Sequence, residues 1–161
     1  MSRKLHRLGA LGPRTARGKS GEMRQREIWT DGTMSRNTQN SLRGRRVLVA
    51  EDEFLIGKLI GRMLQHLECT VVGPAHNLPE ALQAIRTNDI DAALLDVQLG
   101  DADVYPAAKE LDRRNIPFVV ATGYRDLDRS PQLLRDAPRL TKPFNEQQLV
   151  DILTSTFVRR H

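Results

Sequence analysis

The chain has 161 residues, 39% of them hydrophobic and only 4% aromatic, with a formal net charge of +5. That length holds one domain with a sizeable core, its aliphatic bias suits an α/β interior better than an aromatic-rich β-sandwich, and no apolar run approaches the roughly 18 residues that cross a membrane. A single cysteine, Cys69, excludes an internal disulfide, and the basic N-terminus lacks the apolar run of a secretory signal, so the reading is a reduced, cytoplasmic protein with no membrane partner.

The charge is unevenly spread. Met1 to Arg46 holds 12 Lys and Arg against 3 Asp and Glu, and Val47 onward holds 13 against 17. Residues 1–44 therefore read as a basic extension, rich in Arg, Gly, Ser, Thr and Asn and poor in aliphatics, for which disorder is expected. Two roles stay open for it: an inert stretch upstream of a start at Met34, or contact with nucleic acid or an acidic surface. A mitochondrial presequence is also Arg-rich and acid-poor, but this stretch lacks a clear amphipathic apolar face. Residues 45–161 read as the folded domain.

The body begins with RRVLVAEDE, an aliphatic run from Val47 to Ala50 that reads as a buried strand ending in three acids. Glu53 to Leu67 follows with Leu55, Ile56, Leu59, Ile60, Met63, Leu64 and Leu67 at helical spacing, all expected on one packed face. Glu53 sits at its start, where the helix dipole favours a negative charge. CTVVGPA is the second strand, expected to stop at Gly73 and Pro74, with Cys69 as a small buried residue rather than a nucleophile. Asn77 caps a second helix, with Pro79 in its first turn and Glu80 three residues on. AALLD is the third strand, and Val104 to Arg114 the third helix, capped by Asp103. IPFVVAT is the fourth strand. Pro131 to Arg135 forms a short helix, Leu140 marks a very short fifth strand, and Asn145 caps a last helix with Leu149, Ile152, Leu153 and Phe157 inward.

Five strands alternating with helices imply a parallel sheet covered on both faces. The expected fold is α/β, a flavodoxin-like (βα)5 doubly wound sheet with strand order 2-1-3-4-5. Ligands in such sheets bind beyond the carboxyl ends of the strands, at the switch point between strands 1 and 3. Strand 1 ends at Glu51 and Asp52, and strand 3 at Asp96, so three carboxylates converge there. Their mutual repulsion calls for a hard cation, and oxygen ligands at this density suit Mg²⁺. Strand 4 brings Thr122 to the same rim and strand 5 brings Lys142. Carboxylates, a metal, a hydroxyl and an ammonium suit the handling of a phosphoryl group, with Asp96 as nucleophile.

With VLVAEDE, LLDVQL, VVATGY and TKPF in this order, the chain resembles the receiver domain of two-component response regulators over about Arg46 to Arg159. The resemblance implies phosphotransfer from a sensor histidine kinase to Asp96. It implies Mg²⁺ held by Asp52, Asp96 and the backbone carbonyl of Gln98, with Glu51 acting through water, and Thr122 and Lys142 contacting the phosphoryl oxygens. It implies a phosphoacceptor that assists its own phosphotransfer and dephosphorylation rather than an enzyme acting on other molecules. It leaves a phosphotransfer protein or a downstream target as further partners, and a homodimer through the face of helix 4, strand 5 and helix 5. The sequence departs from the family at two places. Leu99, Gly100 and Val104 stand where a Met-Pro pair and a glycine are usual, and Arg139 stands where an aromatic usually swings inward. Signal transmission is therefore expected through ordering of the polar loop Gly123 to Ser130. IPFVVATGY is similar to a smaller group of single-domain receivers with a Phe-Ala-Thr-Gly motif, although Val120 precedes Ala121 here.

The chain ends at its last helix, so a single-domain regulator without an output domain is expected. Three other readings stand beside it. A phosphorylation-independent binding module would keep the fold without the chemistry, but Glu51, Asp52, Asp96, Thr122 and Lys142 are all kept. A nucleic-acid binder led by the basic tail sits poorly with an acidic body and no interleaved aromatics. A haloacid-dehalogenase-type phosphatase would want a second aspartate two residues after the nucleophile, where Gln98 stands.

Overall fold

Three aliphatic runs build the centre of the sheet: β1 (Arg46–Ala50), β3 (Ala92–Asp96) and β4 (Phe118–Thr122). The computed structural model describes residues 41–123, 127 and 129–158. β2 (Thr70–Ala75) and β5 (Arg139–Thr141) complete five parallel strands in the order β2-β1-β3-β4-β5. Between them run α1 (Phe54–His66), α2 (Leu78–Thr87), α3 (Tyr105–Arg113), the short α4 (Gln132–Arg135) and α5 (Glu146–Val158). This is the flavodoxin-like order expected from the alternation of strands and helices.

Alternate residues of each central strand face opposite sides, as the two-residue period of a strand requires. Leu48, Ala50, Ala93, Leu95 and Val120 join the cluster with Ala81 and Ile85 of α2 and Ala107, Ala108 and Leu111 of α3. Val47, Val49, Ala92, Leu94 and Val119 join the cluster with Ile60 and Leu64 of α1 and Leu149, Val150, Leu153 and Phe157 of α5. Helices α2 and α3, with Leu134 of α4, thus cover one face and α1 and α5 the other, which explains why these strands are almost continuously apolar. Two of the caps read from the sequence, Asn77 and Asn145, hold. Asn77 Oδ1 accepts from the Glu80 amide at 2.9 Å, and Asn145 Oδ1 from the Gln148 amide at 2.9 Å. Asp103 Oδ1 accepts from Tyr105 N at 2.7 Å, although the residue at the N-cap of α3 is Val104.

Three expectations need correction. β2 does not stop at Gly73 and Pro74 but continues to Ala75, with a register irregularity opposite Leu48 and Ala50 that absorbs both residues. Gly73 has φ +96°, and a Cβ there would meet Val49 O and Ala75 N at 2.8 Å, so only glycine fits this bend. Leu55 and Leu59 do not join the core. Ile56, Ile60, Met63, Leu64 and Leu67 fill the face toward the sheet, leaving Phe54, Leu55 and Leu59 at 64%, 78% and 53% exposure. Finally, Asp103 is not the N-cap of α3, a position that Val104 holds, while Glu53 stands at the N-cap of α1, as its place at the helix start implied, without a side-chain cap bond.

Packing begins upstream of Arg45. Leu42 is fully buried among Cys69, Leu67 and Phe157, the Arg45 guanidinium lies 5.2 Å from the Phe157 ring centre, and Gly44 N donates to Glu68 O at 2.8 Å. These residues close the end of the sheet where the strands begin. Cys69 is buried there, its thiol donating to Leu42 O at 3.3 Å, and burial pushes its pKa up to about 11, as suits a packing residue. The rest of the basic extension, residues 1–40, lies outside the described residues. No helix of the described residues is long and apolar enough to cross a membrane.

Candidate functional site

Strand register decides which side chains meet. Ala50 pairs with Leu95, so Glu51 emerges beside Asp96. Asp96 pairs with Ala121, so Thr122 lies one residue beyond it, and Thr122 pairs with Thr141, so Lys142 follows at the next position. Lys142 N donates to Thr122 O at 2.8 Å, which carries the β5 chain over the rim. One carboxylate oxygen from each of Glu51, Asp52 and Asp96 lies within 4.8 Å of the others.

Lys142 closes this cluster. Its Nζ donates to Glu51 Oε2 at 2.5 Å and to Asp96 Oδ2 at 2.6 Å. Glu51 is only 1% exposed, whereas Asp52 is exposed and Asp96 half-buried. Burial pushes the Glu51 carboxyl above its ordinary range; Lys142 pulls it back, and the neighbouring Asp96 pushes it up again. For Lys142, burial works against the ammonium, but the bonds to Asp96 and Glu51 outweigh it and hold the pKa above the ordinary lysine value. The ammonium is thus a resident counter-ion for two of three carboxylates.

The segment after Asp96 folds in a way the sequence reading missed. Gln98–Leu99 and Ala102–Asp103 pair antiparallel as a miniature hairpin. Its two-residue turn is Gly100-Asp101, with Gly100 at φ +64°. A Gly-Asp dipeptide between short strands is a recognised hairpin signal, so this feature was present in the sequence. The hairpin holds the site from one side. Gln98 N donates to Asp96 Oδ1 at 3.1 Å, and Gly100 N donates to Asp52 Oδ2 at 3.1 Å.

Thr122 is buried at the end of β4, and its hydroxyl donates to Gly123 O at 3.3 Å. Arg139 is exposed on β5, where its charge stays in solvent. The loop from Gly123 to Ser130 falls in part outside the described residues, at 124–126 and 128. A further contact escaped the sequence reading: His76 Nδ1 lies 2.9 Å from the main-chain oxygen of Glu51, 25 residues away. Only the fold brings those two together.

The model of the response regulator receiver domain matches residues 47–154. Transcriptional regulatory protein PdtaR of Mycobacterium tuberculosis is 34% identical over 110 residues, covering 66% of this chain and 53% of that protein. The chain spans about half the length of the curated relatives it matches. Among solved structures, SdrG from Sphingomonas melonis Fr1 is 36% identical with a TM-score of 0.62, over 73% of this chain and 98% of that one. The receiver domain of the sensor histidine kinase PA1611 from Pseudomonas aeruginosa PAO1 has a magnesium ion in its active-site cleft. It is 26% identical with a TM-score of 0.63, over 71% of this chain and 98% of that one. The match runs from β1 into α5 and takes in every strand end that carries the carboxylates and the lysine, so the chain belongs to the response regulator receiver domain family of two-component signalling.

Proposed function

We propose that this receiver domain accepts a phosphoryl group on Asp96 from the phosphohistidine of a sensor kinase. The supporting observation is the meeting of Asp96, Asp52 and Glu51 with Lys142 Nζ at one strand rim. An Asp96 carboxylate oxygen attacks phosphorus. The P–O bond forms as the P–N bond to the donor imidazole breaks, and the imidazole takes up a proton and leaves neutral. Lys142 is placed to neutralise the phosphoryl oxygens, and Thr122 to donate to one of them once its hydroxyl turns from Gly123 O. Three carboxylates with hard oxygen donors so close together fit Mg²⁺. Asp52, Asp96 and the Gln98 carbonyl are its proposed direct ligands, and Glu51 holds it through water. When bound, the cation supplies the positive charge that phosphoryl transfer to a carboxylate requires.

The direct test is incubation with Mg²⁺ and a small acyl-phosphate donor. The expected product is a covalent phosphate that survives acid and is lost in base. A chain that takes up no phosphate under these conditions is not a phosphoacceptor.

A protein donor also needs somewhere to dock. Phe54, Leu55 and Leu59 project from α1, the helix that starts three residues after Glu51, and Lys58 sits 5.9 Å from the Phe54 ring centre. An apolar patch at the rim of the site suits a helical partner that presents its phosphohistidine across it. Leu55→Asp combined with Leu59→Asp should slow phosphotransfer from the cognate kinase at least about tenfold, the scale of one lost hot spot. Uptake from a small donor should be unchanged. Equal slowing with both donors would place the defect in the site and not in docking.

After phosphorylation, the signal is proposed to pass to a target protein, or onward to a phosphotransfer protein, by ordering of the loop after Gly123. The exposed Arg139 cannot enter an apolar cavity as an aromatic would without a large desolvation cost.

A further inference from the structure

The Glu51–Asp52 peptide is the last part of β1 held by the sheet, and how it is held singles out a residue outside the carboxylate cluster. Glu51 N donates to Ala75 O at 2.9 Å, as a parallel ladder requires. The next bond of that ladder would come from a main-chain N–H of β2 to Glu51 O. It does not form, because the chain turns away at Asn77 to start α2. His76 Nδ1 takes its place, 2.9 Å from Glu51 O. A carbonyl oxygen only accepts, so the bond requires the proton on Nδ1.

We propose that His76 is a positioning residue that aims Asp52 into the cation site. This rests on the reading of Glu51, Asp52 and Asp96 as a cation-dependent phosphoacceptor site. The carbonyl of Glu51 and the amide of Asp52 share one rigid plane. Fixing the oxygen fixes the plane, and the plane sets where the Asp52 side chain departs. Asp52 itself is exposed, with the Gly100 N–H of the hairpin bonding its carboxylate from one side. The main chain that carries the imidazole is in turn held by the cap of α2, and the ring itself lies against Phe54. His76 N donates to Glu80 Oε2 at 2.7 Å, and Asn77 Nδ2 donates to the other Glu80 oxygen at 2.7 Å. The Phe54 ring lies 5.9 Å from the imidazole, centre to centre. The cap of α2 and the start of α1 thereby converge on one donor that points at the Glu51 carbonyl. Far-side donors of this kind orient the groups that meet a metal.

The test compares three variants of the whole chain by Mg²⁺ titration, followed by calorimetry and by amide NMR of Asp52 and Gly100. His76→Ala removes the donor. His76→Asn places an amide nitrogen where Nδ1 stood, and His76→Gln places one where Nε2 stood. His76→Ala and His76→Gln are expected to bind Mg²⁺ about tenfold more weakly than the wild type, the lower end of losses for such orienting groups. His76→Asn is expected to recover most of the affinity. In mildly alkaline buffer the ring nitrogen shifts of the wild type should show the proton on Nδ1. Wild-type affinity in His76→Ala, equal loss in His76→Asn and His76→Gln, or a proton on Nε2 overturns the inference. If His76→Ala does not fold, the Asn and Gln pair decides. A wild-type chain that binds no Mg²⁺ would instead defeat the phosphoacceptor reading on which this one rests.

Discussion

Asp96→Asn is expected to abolish phosphate uptake and leave the fold in place. Asparagine nearly matches aspartate in shape, so β3 keeps its partners on both sides, and the Gln98 N–H can still bond the side-chain oxygen. What is lost is the carboxylate proposed as the nucleophile, and an amide oxygen does not form a stable acyl phosphate. One of three crowded negative charges goes as well, while Lys142 keeps Glu51 as its partner. The melting temperature without Mg²⁺ should therefore be unchanged or slightly raised. Intact-mass measurement after incubation with a small donor and Mg²⁺ gives the first answer, and a thermal melt the second. Phosphate uptake at the wild-type rate would move the acceptor elsewhere.

Lys142→Met should have the largest effect on stability. Glu51 is 1% exposed, and its only cationic partner among the described residues is Lys142. Removing one member of such a pair leaves a buried charge uncompensated, which costs about 3 kcal/mol. The pH dependence fixes the cause. In the variant the folded-state pKa of Glu51 should rise further above its unfolded value, because burial acts without the offset from Lys142. An acid with a raised folded pKa is protonated in the native state before it is in the unfolded state. Stability is then highest below the unfolded pKa and falls as pH rises through the folded one. The penalty should therefore shrink in acid and be full at neutral pH. Urea melts across that range measure it, and Glu51→Gln added to Lys142→Met should recover much of the loss. A penalty that does not vary with pH would mean that Lys142 acts through packing alone.

How much of this was readable depends on whether a residue's surroundings are local. The central strands announced themselves as short aliphatic runs, and Asn77 and Asn145 as caps, because those signals lie within a few residues. Glu51, Asp52, Asp96, Thr122 and Lys142 could be placed together because strand order alone brings strand ends to one edge. Leu55 and Leu59 misled because α1 carries more apolar residues than the sheet face can cover, and spacing does not say which are left over. β2 ran past Gly73 and Pro74 because a bulge accommodates residues that usually end a strand. The bridging of two carboxylates by Lys142 depends on side-chain reach across β3, and the His76 bond on where α2 begins; neither leaves a pattern in the sequence.

The buried Leu42 has a practical consequence. It fastens the incoming chain to the end of the sheet where the strands start, while the carboxylates stand at the other end. The five residues of β1 separate the two by about 16 Å at strand rise. Ser41 is therefore a handle on the far pole of the domain. A protein immobilised on a sensor surface through a linker joined there would keep Asp96, Lys142 and the exposed flank of α1 turned toward the solution, free for a kinase to reach.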